Sequence, residues 1–279
     1  MQKATGTVTA MRVASIHLYP VKSFHRVDRD AADVEPWGLA GDRRWLVTDA
    51  DGRMLTQREE PRFTQLQPSI VDGDLVLRAA GRSELHVPAK PGELAEVKVF
   101  RTPVLLSRAG EAADEWLSGV LDREVHLMYL DDPTRRPVNP KYARPDDRVS
   151  LADGYPVLLA NSASLGVLND WIAESGSDEG PLPMTRFRPN VVVDGAPAWA
   201  EDDWIGRRLR LGAVTFRVAK PAARCVITTT DQETGERGRE PLRTLGRYRN
   251  VEQDLLFAVS LIPDGTGGIR VGDEVSALD

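Results

Sequence analysis

The stretch Lys220-Pro221-Ala222-Ala223-Arg224-Cys225-Val226-Ile227-Thr228-Thr229-Thr230-Asp231 holds the only cysteine of the chain. Val226, Ile227 and Thr228 to Thr230 are β-branched, which favours a pleated strand, and Pro221, with no N–H to donate, keeps that strand from starting earlier. Cys225 is thereby expected at the mouth of a strand. A thiolate is the nucleophilic and metal-binding form of cysteine, and the neighbouring Arg224 and Lys220 favour that charged form. Taken alone, a single cysteine in a strand is most often a small buried apolar residue. The rest of the chain has to change those odds.

Around this stretch the pattern stays β-rich. Arg208 to Leu211 and Val214 to Ala219 flank Gly212-Ala213 as a hairpin, and Pro241 opens a short helix through Tyr248. Strands at Leu255 to Ile262 and Gly268 to Val271 close the chain. Upstream, Tyr155 to Ala160 runs into Asn161 or Ser162, either of which would cap a helix carrying Leu165, Leu168, Trp171 and Ile172 on one face. The free N–H groups at that helix start suit a phosphate, although plain capping is commoner. Phe187-Arg188-Pro189-Asn190 leads into a strand at Val191 to Val193.

The first half alternates as well. Met11 to Tyr19 reads as a strand stopped by Pro20, which leaves Lys22 and Ser23 side by side on the following loop. Short strands follow at Ala32 to Pro36, Arg44 to Thr48, Leu75 to Ala79, Glu84 to Val87, Val97 to Phe100 and Glu124 to Leu130. Gly110 to Asp122 is helical, with Ala113, Trp116, Leu117, Val120 and Leu121 on one face. Asp131 to Arg148 is too rich in proline and charge for a core element and reads as a linker or long surface loop. The expected fold is therefore mainly β with a few helices (α+β), divided into residues 11–130 and 131–279.

Composition narrows the function. A chain of 279 residues with 41% hydrophobic and 28% charged residues is a globular protein above the usual size of a single core. Its formal charge of −6 argues against non-specific binding to nucleic acid or an acidic membrane. One cysteine cannot build an internal disulfide, a Cys₄ zinc site or a cysteine-ligated iron–sulfur cluster. The four histidines, His17, His25, His86 and His126, show no paired-ligand spacing. Neither a P-loop nor a dinucleotide fingerprint follows a strand. Met1 to Met11 lacks an apolar leader core, and no apolar run is long enough to cross a bilayer, so a cytoplasmic protein is expected.

Two chemistries remain for Cys225. One is a cysteine hydrolase or sulfur transferase with His17 or His25 as base, which no spacing supports or excludes. The other starts from the cations that recur at strand ends beside hydroxyl or amide groups: Lys22 with Ser23, Arg43 with Arg44, Arg188 with Asn190, Arg224 with Cys225. Converging, they would suit a phosphorylated heteroaromatic cofactor.

These stretches also carry a resemblance. Tyr19-Pro20-Val21-Lys22-Ser23, Gly38 to Val47, Phe187-Arg188-Pro189-Asn190, Arg224 to Thr229 with Asp231 and Thr234-Gly235, and Ile269 to Glu274 together resemble the MOSC family with its N-terminal β-barrel domain, in particular the amidoxime-reducing components and their bacterial relatives. The resemblance implies an N-terminal β-barrel-like domain at 11–130, a C-terminal MOSC β-barrel at 131–279, and a bound molybdenum cofactor (molybdenum-molybdopterin). It implies Cys225 as the metal ligand and catalytic residue, with Lys22, Ser23, Arg43, Ser164, Arg188, Asn190 and Arg224 holding the pterin and its phosphate. Ser260 stands where eukaryotic relatives carry an aromatic residue near the site. The implied activity is reduction of N-hydroxylated substrates such as amidoximes and hydroxylamino compounds. A cofactor or sulfur carrier using Cys225 is the alternative of another class. Some bacterial relatives append a cysteine-rich iron–sulfur domain, and one cysteine cannot supply it. Electrons are then expected from a separate donor, ferredoxin-type or cytochrome b₅-type with its reductase, docking through a basic patch at Arg135, Arg136, Lys141, Arg144 and Arg148.

Overall fold

A computed structural model describes residues 10–278; most of the stretch from Met1 to Met11 lies outside them. Its centre is a nine-stranded sheet curled into half a barrel. Eight of its strands run in the order Val275–Leu278, Arg208–Leu211, Val214–Ala223, Asp254–Pro263, Val157–Asn161, Val191–Asp194, Arg12–Leu18, Val27–Arg29, and Asn250–Val251 pairs with Asp254–Pro263 off that path. Alternate residues point to one face, and there Leu209, Phe216, Leu261, Leu159, Val193 and Ile16 are all buried in a single core. Each such side chain contributes roughly 1.5–3 kcal/mol of burial.

Val157–Asn161 and Val191–Asp194 run parallel, so a crossover must join them, and the helix Ser162–Glu174 forms part of it. Leu168 and Ile172 on that helix pack with Phe187, Leu245 and Phe257. In the first half, Trp45–Asp49 is buried at every position inside a four-stranded sheet with Val125–Tyr129, Thr102–Arg108 and Leu94–Val99. The helix Glu111–Leu121 buries Ala113, Leu117 and Leu121 in the same core as Trp45 and Phe63.

Hydrogen bonding crosses between the two halves of the sequence. Arg12–Leu18 pairs with Val191–Asp194, and Ala31–Glu35 pairs with Gly267–Arg270. Gly38 fixes one more crossing: its φ is 131°, and a Cβ there would lie 2.8 Å from the Pro156 carbonyl oxygen. This interleaving carries the loop Tyr19 to Ser23 up against Asn190.

The most informative departure from expectation is at the cysteine itself. Val226–Thr229 is a turn of 3₁₀ helix, and the strand is Val214–Ala223, which precedes Cys225 and contains Pro221. The Thr228 hydroxyl donates to the Cys225 carbonyl and the Thr229 hydroxyl to the Val226 carbonyl, at 2.9 and 2.8 Å. Those local bonds offer the backbone an alternative to the ladder, and they outweigh β propensity here. Pro221 is tolerated because pairing with Asp254–Pro263 is irregular on both sides of it. Strands Gln67–Val71, Thr102–Arg108 and Val275–Leu278 lie outside the expected set. Segment 131–148 is a loop as expected, but a packed one in which Val138 is buried. No helix among the described residues is long and apolar enough to cross a membrane.

Candidate functional site

Eight of the residues singled out by sequence line one cleft of about 280 Å³: Cys225, Lys22, Ser23, Arg43, Arg188, Asn190, Arg224 and Ser260. Four loops and one strand deliver them. Ser23, Arg43 and Arg188 all hold a left-handed backbone, with φ of 69°, 48° and 54°. Such a conformation is uncommon for residues with a side chain and costs of order 1–3 kcal/mol each, so its concentration in one cleft marks a constrained site.

Tyr19 is the hub beneath the cleft floor. It is buried, and the guanidinium carbons of Arg43 and Arg188 lie 4.5 and 4.2 Å from its ring centroid. Burial pushes the Tyr19 phenol up to about 12, against the pull of both arginines, so it stays neutral and donates to the Pro189 carbonyl. Fully buried Asp42 accepts the Tyr19 N–H at 2.8 Å and Arg43 Nη1 at 2.6 Å. Asn190 Oδ1 accepts from Arg43 Nη1 and from the Leu158 N–H, while its Nδ2 donates to the His17 carbonyl. Its amide is committed to the protein, so Asn190 orients Arg43.

Lys22 is 4% exposed, and its Nζ donates to the Leu151 carbonyl at 2.9 Å and to Asp153 at 2.5 Å. Burial lowers its ammonium to about 8, with the Asp153 charge pulling the other way. Desolvation would raise the Asp153 carboxyl, but Lys22, Arg43 and Arg58 hold it well below the ordinary range. Burial also lowers Arg188 to about 10 and lowers Arg224; both remain charged at neutral pH.

The decisive feature is what these two arginines leave undone. Arg188 Nη1 donates to Gln232 and Arg224 Nη2 to the Phe187 carbonyl, each at 2.8 Å. Arg188 Nη2 and Arg224 Nε are buried with no partner among the described residues. A buried donor left unsatisfied costs about 1–3 kcal/mol, and two of them beside a thiol describe a site built for acceptors that the protein does not itself provide. Arg58 completes the cationic wall, its Nη2 lying 3.2 Å from Cys225 Sγ. Tyr155, Leu158, Phe187 and Ile227 supply an apolar side.

Ser164 lies elsewhere. It is fully buried in the first turn of the helix Ser162–Glu174, and its Oγ accepts the Trp199 N–H at 2.8 Å. At that helix start Asn161 Oδ1 accepts the Ala163 N–H, and Asn161 Nδ2 donates to Glu201. No histidine lines the cleft among the described residues; His17 bonds Ser15 and Asp28, and His25 bonds Glu233. The cysteine–histidine pair is thereby overturned. Of the expected basic patch, Arg136 is buried against the Ser150 and Ala152 carbonyls and Arg144 is paired with Asp264, while Lys141 stays exposed.

Sequence reasoning misses Arg58 and Asp153. Arg58 lies 167 positions from Cys225, and its stretch Gln57-Arg58-Glu59-Glu60 reads as a solvated charge run. Asp153 in Ala152-Asp153-Gly154 reads as a turn.

Comparison with known families agrees with this geometry. The MOSC N-terminal beta barrel domain matches residues 10–124 and the MOSC domain matches residues 146–276. The chain belongs to the MOSC family. Human mitochondrial amidoxime-reducing component 1 is 32% identical over 95% of this chain and 82% of its own length. The molybdenum cofactor sulfurase of Anopheles gambiae is 34% identical over 85% of this chain and 32% of its own length. Among solved structures, the YUAD protein of Bacillus subtilis aligns over 96% of this chain and 95% of its own at 11% identity, with a TM-score of 0.44. Within the MOSC domain, the motif from Arg224 to Thr229 forms the cleft edge.

Proposed function

We propose that this chain is a molybdenum cofactor-dependent oxidoreductase that reduces N-hydroxylated compounds, amidoximes and hydroxylamino compounds among them. The observation that carries the reading is the pair of buried donors without acceptors, Arg188 Nη2 and Arg224 Nε, beside the only thiol of the chain. A phosphorylated pterin offers acceptors of the kind these guanidinium groups lack, and a thiolate is a suitable ligand for a soft-ligand metal, so the residues fit the group. Resemblance to amidoxime-reducing components supports the same reading.

In this reading Cys225 ligates the molybdenum, Arg188 and Arg224 hold phosphate or ring acceptors, and Lys22 and Ser23 close the opposite wall. When bound, the cofactor supplies the two-electron reduction of the N–O bond. The chain does the rest. Arg58 places a guanidinium 3.2 Å from Cys225 Sγ, against the atom that would meet the metal. Tyr19 and Asn190 fix the guanidinium planes before the ligand arrives, which lowers the ordering cost of binding. Lys22 Nζ keeps its proton at neutral pH between Leu151 and Asp153. Tyr155, Leu158, Phe187 and Ile227 exclude water on one side and receive the apolar part of a substrate.

Likeness to a molybdenum cofactor sulfurase favours a second reading, in which the chain carries the cofactor or a sulfur atom on Cys225. Protein made in a cofactor-competent host separates the two. Stoichiometric molybdenum with turnover of benzamidoxime by reduced viologen is the expected result. Metal-free protein bearing a persulfide on Cys225, with no turnover, would replace the first reading by the second.

A further inference from the structure

We propose that the surface formed by Arg239, Arg243, Arg247, Tyr248 and Val251 is the docking site of an acidic one-electron carrier protein, joined to the cleft by a continuous stack of aromatic rings. The inference rests on the redox reading above.

Arg243 and Arg247 are four residues apart on the helix Leu242–Tyr248, and the Arg243 N–H donates to the Arg239 carbonyl, which places Arg239 one turn ahead. All three side chains are exposed, and none has an ion-pair partner among the described residues. The three form a cationic row, at whose start the Glu179 carboxylate accepts the Arg239 and Glu240 N–H groups. The arginines of segment 131–148 contrast with them, since Arg135 and Arg144 are paired and Arg136 is buried. Beside the row stand two exposed apolar side chains, Tyr248 at 50% and Val251 at 56%. A cationic rim around a small apolar centre is complementary to an acidic partner that docks briefly.

The stack begins at that centre. Tyr248 lies on Trp171 with ring centroids 4.4 Å apart, Trp171 on Trp199 at 5.4 Å, Trp199 edge-on to Phe257 at 6.0 Å, and Phe257 on Phe187 at 3.8 Å. Phe187 lines the cleft, and its carbonyl accepts from Arg224. Arg249 braces the middle of the stack, lying over Trp199 while paired with Asp202. Electron tunnelling falls off steeply across empty gaps and less steeply through packed matter. An unbroken series of rings from an exposed tyrosine to the cleft therefore couples the two places. The cleft mouth is left to the substrate.

The electron balance requires a reductant from outside the described residues. Reduction of R–NH–OH to R–NH₂ and water consumes two electrons and two protons, breaking the N–O bond. A one-electron carrier is oxidised twice per turnover. The single cysteine of this chain cannot hold an iron–sulfur relay of its own.

The test uses full-length protein, a plant-type [2Fe–2S] ferredoxin and soluble cytochrome b₅, each measured first by calorimetric or surface binding to metal-free protein at low ionic strength. Binding of at least one carrier, lost ten-fold or more in the Arg243→Glu/Arg247→Glu variant and weakened by salt, is the expected result. Reversal of Arg208 and Arg210, two exposed arginines on another strand, serves as the matched control and leaves binding within two-fold. With loaded enzyme and saturating carrier, Tyr248→Leu lowers the carrier-driven rate several-fold while the viologen-driven rate stays unchanged. Failure of both carriers to bind, or equal losses in the two reversal variants, overturns the docking site. An unaltered carrier-driven rate in Tyr248→Leu overturns the role of the stack. Viologen-driven turnover absent from the parent protein would defeat the redox reading instead, and the binding measurement on metal-free protein still decides the surface.

Discussion

Two arginine-rich regions of this chain look alike in sequence and differ in structure by whether their donors are finished. In segment 131–148, Arg135 bonds Asp131, Arg144 bonds Asp264, Arg148 bonds the Thr134 and Pro145 carbonyls, and Arg136 caps two backbone carbonyls. In the cleft, Arg188 and Arg224 each spend one nitrogen on the protein and leave another buried without a partner. The first region is a structural brace that completes itself. The second is incomplete, and its three left-handed backbone residues show that the fold tolerates strain to keep it so.

The sharpest way to break this comparison is at the thiol. Cys225→Ala removes one small, partly exposed side chain and should leave a folded protein, yet abolish N-reduction; wild-type turnover would sink the assignment. Next comes Arg188→Ala, which should cost about 1.5–3 kcal/mol of cofactor binding and so lower retention roughly ten-fold or more. If occupancy stays normal while the metal-free form melts much lower, Arg188 is a brace like those in 131–148.

Lys22 gives a test of opposite sign. Its folded ammonium is lowered by burial from 10.5 to about 8. Below pH 8 the group is charged in folded and unfolded chains alike, and the folded state bears the full cost of burying it. Between 8 and 10.5 the unfolded chain binds more protons, so this contribution makes stability rise with pH. The shift from 10.5 to about 8 bounds the effect at roughly 3 kcal/mol. Lys22→Met should therefore flatten that rise and weaken cofactor binding, while its effect at pH 7 sets relief from burying the ammonium against loss of the charge that holds Asp153 ionised. A destabilised Lys22→Met would mean that the bonds to Leu151 and Asp153 outweigh desolvation. The smallest effect belongs to Arg144→Ala, whose exposed partnership with Asp264 should be worth under about 1 kcal/mol, with no change in cofactor content.

Much of the cleft is legible in the sequence because its cations sit beside prolines and polar residues in short loops. Lys22 follows Pro20, Arg188 precedes Pro189, and Arg224 adjoins the lone cysteine. The β-rich architecture is legible from alternation, which is why Arg12–Leu18 and Asp254–Pro263 emerge nearly at their true limits. Three kinds of feature are not legible. Arg58 reaches Cys225 only because the first-half loops close over the MOSC domain. The turn Val226–Thr229 depends on hydroxyls bonding their own backbone, which propensity scores as strand. Ser164 shares the residue type of a phosphate contact but faces Trp199, a placement set by the long connection from the helix to Trp199 rather than by local pattern.

The central claim is that Cys225 binds molybdenum in this cleft, and X-ray absorption at the molybdenum edge reads that bond directly. Protein loaded in a cofactor-competent host should show one more sulfur around the metal than the Cys225→Ser variant loaded in the same way. An identical sulfur count in the two proteins, at equal molybdenum content, would contradict the account.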